Sequence, residues 1–99
     1  MARTVGVIES RSYLELFDAA ARAAKAADVR FVRYERVGEG IVAAVLEGDL
    51  ANVEVALEAA KNGHNGVSGT NSLVTRLVTN VPSKALRVFN LPGGWIWNP

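Results

Sequence analysis

No cysteine occurs in the 99 residues, which removes disulfides, thiolate metal sites and thiol nucleophiles. Histidine is almost as scarce. His64 is the only one, set between Gly63 and Asn65 with no evident partner, so it reads as a solvent-exposed loop residue. Ser-His-Asp, paired-carboxylate and metal-ligand spacings are missing. No catalytic residue, metal or cofactor is therefore expected. The glycine series Gly63-x-x-Gly66-x-x-Gly69 lacks the strand–turn–helix context of a phosphate cradle and reads as a plain loop. Neither charge sign dominates: eleven basic and ten acidic residues leave a net charge of +1. Without a basic tract, no nucleic-acid or membrane partner is expected. Long apolar runs are lacking too. The opening MARTVGVIES has one arginine and a short apolar run before Glu9, unlike a signal peptide or a membrane span, so a cytoplasmic location is the expectation.

What is present suits one soluble domain, 49% apolar and 21% charged. Much of the apolar share is alanine. Small side chains make a thin core, which association would help to stabilise. The basic residues Arg11, Arg22, Lys25, Arg30, Arg33 and Arg36 interleave with Glu9, Glu15, Asp18, Asp28 and Glu35, as on a solvated mixed face.

Thr4 to Ile8 reads as a short apolar strand. Ser12-Tyr13-Leu14-Glu15 has capping-box form, the Ser12 hydroxyl accepting from the Glu15 amide while the Glu15 carboxylate reaches back. A helix to about Ala27 should follow, with Leu14, Phe17, Ala21 and Ala24 as its buried stripe. Val29 to Val37, rich in β-branched and aromatic residues, predicts a strand. Ile41 to Leu46 is uninterrupted apolar sequence, as in a central strand covered on both faces. Asp49 is the natural N-cap of a second helix with Leu50, Val53, Leu57 and Ala60 inward and Asn62-Gly63 as its stop. His64 to Asn71 reads as a loop, Leu73 to Val78 as a last strand, and Ser83 to Phe89 as a short terminal helix. The expected fold is a single compact α+β domain of ferredoxin-like β-α-β-β-α-β order. Its sheet is antiparallel with helices on one face. The domain covers 1–90, and a tail covers 91–99.

Two features stand apart. Gly38-Glu39-Gly40 joins two strands, and both glycines can take positive φ. Such a tip serves an ordinary hairpin, or a loop whose backbone must approach another object closely. Trp95 and Trp97 lie among the last five residues, where exposed apolar area is unfavourable. They can fold back on their own domain, pack on a neighbour or bind another partner.

The residues also resemble a known family. Val5-Gly6-Val7-Ile8-Glu9, Ala20 to Val29, Val32 to Gly40, Glu47-Gly48-Asp49-Leu50 and Val53 to Ala60 are similar, in register, to bacterial microcompartment (BMC) domains. These are the single-domain hexameric shell proteins of carboxysomes and metabolosomes. The resemblance covers about residues 3–82. It implies a structural protein without a reaction of its own: a homohexamer that tiles into shell facets beside other shell proteins and encapsulated enzymes. Small metabolites would cross its central pore. The implied pore loop is Arg36, Val37, Gly38, Glu39 and Gly40, with Glu39 where many relatives carry a small polar residue. Lys25 is the implied hexamer–hexamer edge lysine, its ammonium donating to carbonyls across the edge. Asp28 stands where asparagine is usual, and Asn80, in a segment placed after the last strand, stands where an arginine is usual. Trp95 and Trp97 are expected to pack on a hexamer face. The first strand, the hairpin and the second helix are candidates for the subunit contact. Carboxysome and metabolosome remain open, the unusual pore and tail favouring the latter.

Two other classes compete. A ferredoxin-like oligomeric regulator would bind a small ligand between subunits and share the element order. A small isomerase-like enzyme would need the acid–base pair that is missing.

Overall fold

A computed structural model of the chain describes residues 2–62, 73–82 and 95–97. The elements run β1 (Ala2–Ser10), α1 (Tyr13–Ala26), β2 (Arg30–Gly38), β3 (Ile41–Gly48), α2 (Leu50–Asn62), β4 (Val74–Pro82) and β5 (Trp95–Trp97). They form one antiparallel sheet in the order β4-β1-β3-β2-β5. The first six elements are the β-α-β-β-α-β arrangement read from the sequence. His64, the glycine series and the expected helix at Ser83–Phe89 lie outside the described residues.

β3 runs through the middle of the sheet and is buried along nearly all its length. Alternation sends Val42, Ala44 and Leu46 toward the helices, where they meet Ile8, Leu16 and Val53. The opposite face is apolar as well: Val5 and Val45 are each only 1% exposed, with Val7 and Val32 against them. The continuous apolar run in β3 thus serves two cores.

The helices meet through alanine. Ala19 and Ala23 of α1 and Ala56 and Ala60 of α2 are all fully buried, and their small side chains let the backbones come close. Gly6 does the same for the sheet. A Cβ placed there would sit 2.9 Å from Val53 Cγ1 and 3.0 Å from Leu46 Cδ1, so α2 lies directly against the β1 backbone. Arg22 extends from α1 to the far end of α2, its guanidinium donating to the carbonyls of Ala59 at 3.3 Å and Ala60 at 2.6 Å, and also to Asp18. Carbonyls in the last turn of a helix lack partners within it, and Arg22 supplies donors there.

Four expectations are corrected. The buried stripe of α1 is Leu16, Ala19, Ala20 and Ala23, while Leu14 is 80% exposed and Ala21 and Ala24 also face outward. In α2, Ala56 joins Val53, Leu57 and Ala60 inside, whereas Leu50 is exposed. The basic interleaving of β2 is not simply a solvated face, because Arg33 is buried and paired with Glu35. The last strand extends to Pro82, so Asn80 lies within β4 rather than after it.

β2 also departs from simple alternation. Its register with β3 shifts between Phe31 and Arg33, and again between Arg36 and Gly38. The first shift brings Phe31 and Tyr34, three residues apart, onto the helix face. Their rings stack there at 6.2 Å, and Phe17 meets Tyr34 edge-on at 5.3 Å.

Candidate functional site

The second register shift sets up the hairpin tip. Gly38 pairs with Ile41, leaving Glu39-Gly40 as a two-residue turn. Such turns match the twist of their strands when both central residues take positive φ. Glu39 has φ 54° and Gly40 φ 80°, and Gly38 before them has φ 119°. The expectation of left-handed glycines holds at both positions, and the left-handed stretch also takes in Glu39. Glutamate is an unusual occupant there, since such turns favour Asn, Asp or Gly. Residues 36–40 are all exposed, so the tip projects from the end of the sheet with little of its own to rest on.

Arg11 stands beside that tip. Its Nη1 donates to the Glu39 carbonyl at 3.0 Å. It shares a shallow recess with Tyr13, Arg36 and the Gly38–Val42 segment. Nothing in the sequence pattern singled Arg11 out. The β1–β3 register explains its reach: Ser10 pairs with Val42, so the next residue is level with the turn.

The turn that aims Arg11 is itself held by the start of α1. Ser12 Oγ accepts from the Glu15 amide at 3.2 Å, as the capping box predicts. The return half differs. Glu15 does not cap Ser12 directly: the Ser12 amide donates to Ser10 Oγ at 3.0 Å, and the Ser10 hydroxyl donates to the Glu15 carboxylate. Arg11 therefore sits between two serines engaged in one relay.

On the helix-free side of the sheet, acids and bases pair both between strands and along β2. Glu47 is buried, 3.2 Å from Arg30 and 4.0 Å from Arg3. Arg33 contacts Glu35 through both Nε and Nη2, at 3.1 and 3.0 Å. Arg76 reaches Glu9 at 3.0 Å. These pairs flank the second apolar core and fix charge on that face.

The remaining candidates lie apart from the tip. Lys25 is in the last turn of α1 and exposed. Asp28 is exposed just after the helix, its amide donating to Asn52 Oδ1 at 3.3 Å. Asn80 is at the far end of the sheet, on β4. β5 pairs with β2 at Tyr34↔Trp97, Glu35↔Ile96 and Arg36↔Trp95. The backbone of 95–97 thus lies along the strand that leads into the tip. Among the described residues no three histidine, aspartate or glutamate side chains converge as metal ligands, and no helix is long and apolar enough to cross a membrane.

A ferredoxin-like sheet with a glycine-bracketed β2–β3 tip is the arrangement expected of a bacterial microcompartment domain. The model of the BMC domain matches residues 4–82, and the chain belongs to that family. It is 35% identical over 78 residues to the carboxysome shell protein CcmK2 of Synechocystis sp., spanning 79% of this chain and 76% of that one. To the carboxysome assembly protein CcmO of the same organism it is 38% identical over 56 residues, 57% of this chain and 19% of that one. Among solved structures, a microcompartment protein from Desulfitobacterium hafniense superposes with a TM-score of 0.74 at 24% identity. The match covers 87% of this chain and a little under half, 46%, of that one. That likeness shows the shared fold.

Proposed function

We infer that the chain is a structural component of a bacterial microcompartment shell, with no reaction of its own. It forms a cyclic homohexamer in which six copies of the 36–40 tip surround a narrow pore for small metabolites. The observation that carries this reading is the tip itself. A glycine-bracketed two-residue turn, exposed at the sheet end, lets identical copies gather about an axis with Glu39 as the one side chain on the turn. Membership of the BMC family and relatives named as carboxysome shell proteins support it.

A cyclic ring joins one patch to a different patch on the next copy. β1, the β2–β3 hairpin and α2 are the proposed contact elements. Lys25, with Asp28 and Asn80, forms the edge at which hexamers tile beside one another and beside other shell proteins. Encapsulated enzymes lie behind that layer, which places the chain in a cytoplasmic shell. Residues 1–90 form the shell domain. The tail of 91–99 places Trp95 and Trp97 on a hexamer face.

Glu39 gives this pore its chemistry. Carboxylates about 10 Å apart in water repel by roughly 0.4 kcal/mol per pair, which is tolerable at an exposed tip. A ring of them makes the mouth acidic and disfavours anionic metabolites relative to neutral ones. Electron microscopy of the purified chain tests the assembly: ordered hexagonal layers are expected. A chain that stays monomeric at high concentration refutes the reading.

A further inference from the structure

The geometry points to Arg11 as the residue that positions the pore tip, and through it the Glu39 carboxylate. This rests on the pore reading for its consequence, while the brace itself is a property of the single chain.

Glu39 is the described non-glycine residue with positive φ, a conformation uncommon for side-chain-bearing residues. The φ of a residue fixes where its Cα–Cβ bond points, so this left-handed setting determines where the carboxylate starts. The two-residue hairpin favours this setting, and no crowding at the neighbouring glycines adds to it. A Cβ at Gly38 would meet nothing within 4 Å, and one at Gly40 would meet only Arg11 Nη1, at 3.9 Å. The tip is therefore open on one side and backed by the Arg11 guanidinium on the other. That group also donates to the Glu39 carbonyl at 3.0 Å, across 28 residues of sequence.

Arg11 is placed for this on two counts. Pairing of Ser10 with Val42 sets it level with the turn. The Ser12 amide–Ser10 hydroxyl–Glu15 carboxylate relay holds the residues on either side of it. A rigid planar fork on a fixed backbone suits a bond that must hold one carbonyl in one orientation. Without the bond, the turn keeps the positive φ that a two-residue hairpin favours but loses its side-chain tether on the Glu39 carbonyl, and the direction of the carboxylate is less restricted. Arg11 is thus a positioning residue for pore selectivity, acting through Glu39.

Two measurements on the whole protein test this. The first is hydrogen–deuterium exchange across the segment 36–42. Arg11→Ala is expected to speed exchange at the tip about tenfold while protection across 43–47 stays at the wild-type level. Arg11→Lys, which keeps a donor, is expected to stay within about threefold of wild type. Should Arg11→Ala fail to fold, Arg11→Met keeps the stem without the donors and carries the same comparison. Unchanged tip exchange in the folded donorless variant overturns the brace.

The second is the chloride-to-potassium permeability ratio of hexamers in planar bilayers, read from reversal potentials. Because Arg11→Ala also removes a charge, the informative quantity is the effect of Glu39→Gln in each background. It is expected to raise the ratio at least twofold with Arg11 present and by less than about 1.2-fold without it. Equal effects in both backgrounds overturn the positioning role. No Glu39→Gln effect in either background refutes the pore reading instead, and tip exchange then still decides the brace.

Discussion

Ser10 and Glu15 are bound side chain to side chain, the Ser10 hydroxyl donating to the Glu15 carboxylate while accepting the Ser12 amide. Ser10 itself is only 1% exposed, and the two bonds it makes are part-buried. Ser10→Ala removes the acceptor of the Ser12 amide and one donor to the Glu15 carboxylate. A loss of about 1–2 kcal/mol is expected, read as an earlier urea midpoint with an unchanged slope. Ser12→Ala, which removes the exposed cap bond to the Glu15 amide, is expected to cost about 1 kcal/mol. Equal stability of Ser10→Ala and wild type would remove the relay from the account of how Arg11 is held.

Gly6 faces α2 with no room for a methyl group, its ideal Cβ position lying 2.9 Å from Val53 and 3.2 Å from Leu57. Both neighbours are buried, and neither can swing into solvent. Gly6→Ala should destabilise the fold by about 1–3 kcal/mol through overpacking. Gly6→Ala combined with Val53→Ala should recover part of that loss, because the two side chains compete for one space. Thermal unfolding of Gly6→Ala, Val53→Ala and the double variant checks both statements, and additive losses would show that the two side chains do not compete for one space.

Tyr34 supplies the pH dependence. Burial raises its phenol above the ordinary value of 10.0, since desolvation disfavours the phenolate. The raised acid contributes stability that is fully present below the unfolded-state value. That contribution is lost as pH rises through the higher folded-state value, because the unfolded chain releases this proton first. Stability should therefore fall above about pH 10, and Tyr34→Phe should flatten part of that fall. Denaturant midpoints at pH 8, 9, 10 and 11 provide the comparison. An identical alkaline slope in the variant would mean that other groups govern it.

Much of this architecture is legible in the residues. The element order, the Ser12 cap, the doubly covered β3 and the glycine tip all follow from local chemistry that tertiary structure did not override. The face of α1 does not. Alanines at 19, 20, 21, 23, 24, 26 and 27 make several stripes equally apolar, so periodicity cannot choose between Leu14 and Leu16. Packing against Ala56 and Ala60 chooses. The burial of Arg33 is hidden for another reason. A period of two groups Phe31 with Arg33, and only the register shift between them sends one to each face. Arg11 was hidden as well, because its partner is a backbone carbonyl 28 residues away, and carbonyls leave no mark on sequence.

Lys25 tests assembly apart from folding. It is exposed on the last turn of α1, so Lys25→Ala should leave the Tm of the domain nearly unchanged. At a tile edge, loss of its donors should raise the concentration needed for layers at least tenfold, equivalent to about 1.4 kcal/mol per contact. Sedimentation should show hexamers, and electron microscopy should show few layers. Layers as extensive as the wild type's would move the edge elsewhere.

The tail carries the last prediction. β5 covers the outer edge of β2 through backbone pairing at Tyr34, Glu35 and Arg36. An uncovered edge strand offers unpaired N–H and C=O groups to any other strand. Deleting residues 91–99 exposes that edge directly upstream of the tip. A three-residue strand cannot dominate stability, so the expected loss is modest, about 1–2 kcal/mol, while aggregation should increase markedly. Ile96→Pro separates the causes. Proline removes one N–H and disfavours a paired position in a sheet, yet it leaves both tryptophans in the chain. If pairing with β2 is what matters, Ile96→Pro should aggregate like the truncation. If the tryptophan side chains matter on their own, Trp95→Ala with Trp97→Ala should reproduce the truncation while Ile96→Pro stays soluble. Light scattering on the three variants at matched concentration decides between backbone pairing and side-chain burial as the tail's contribution.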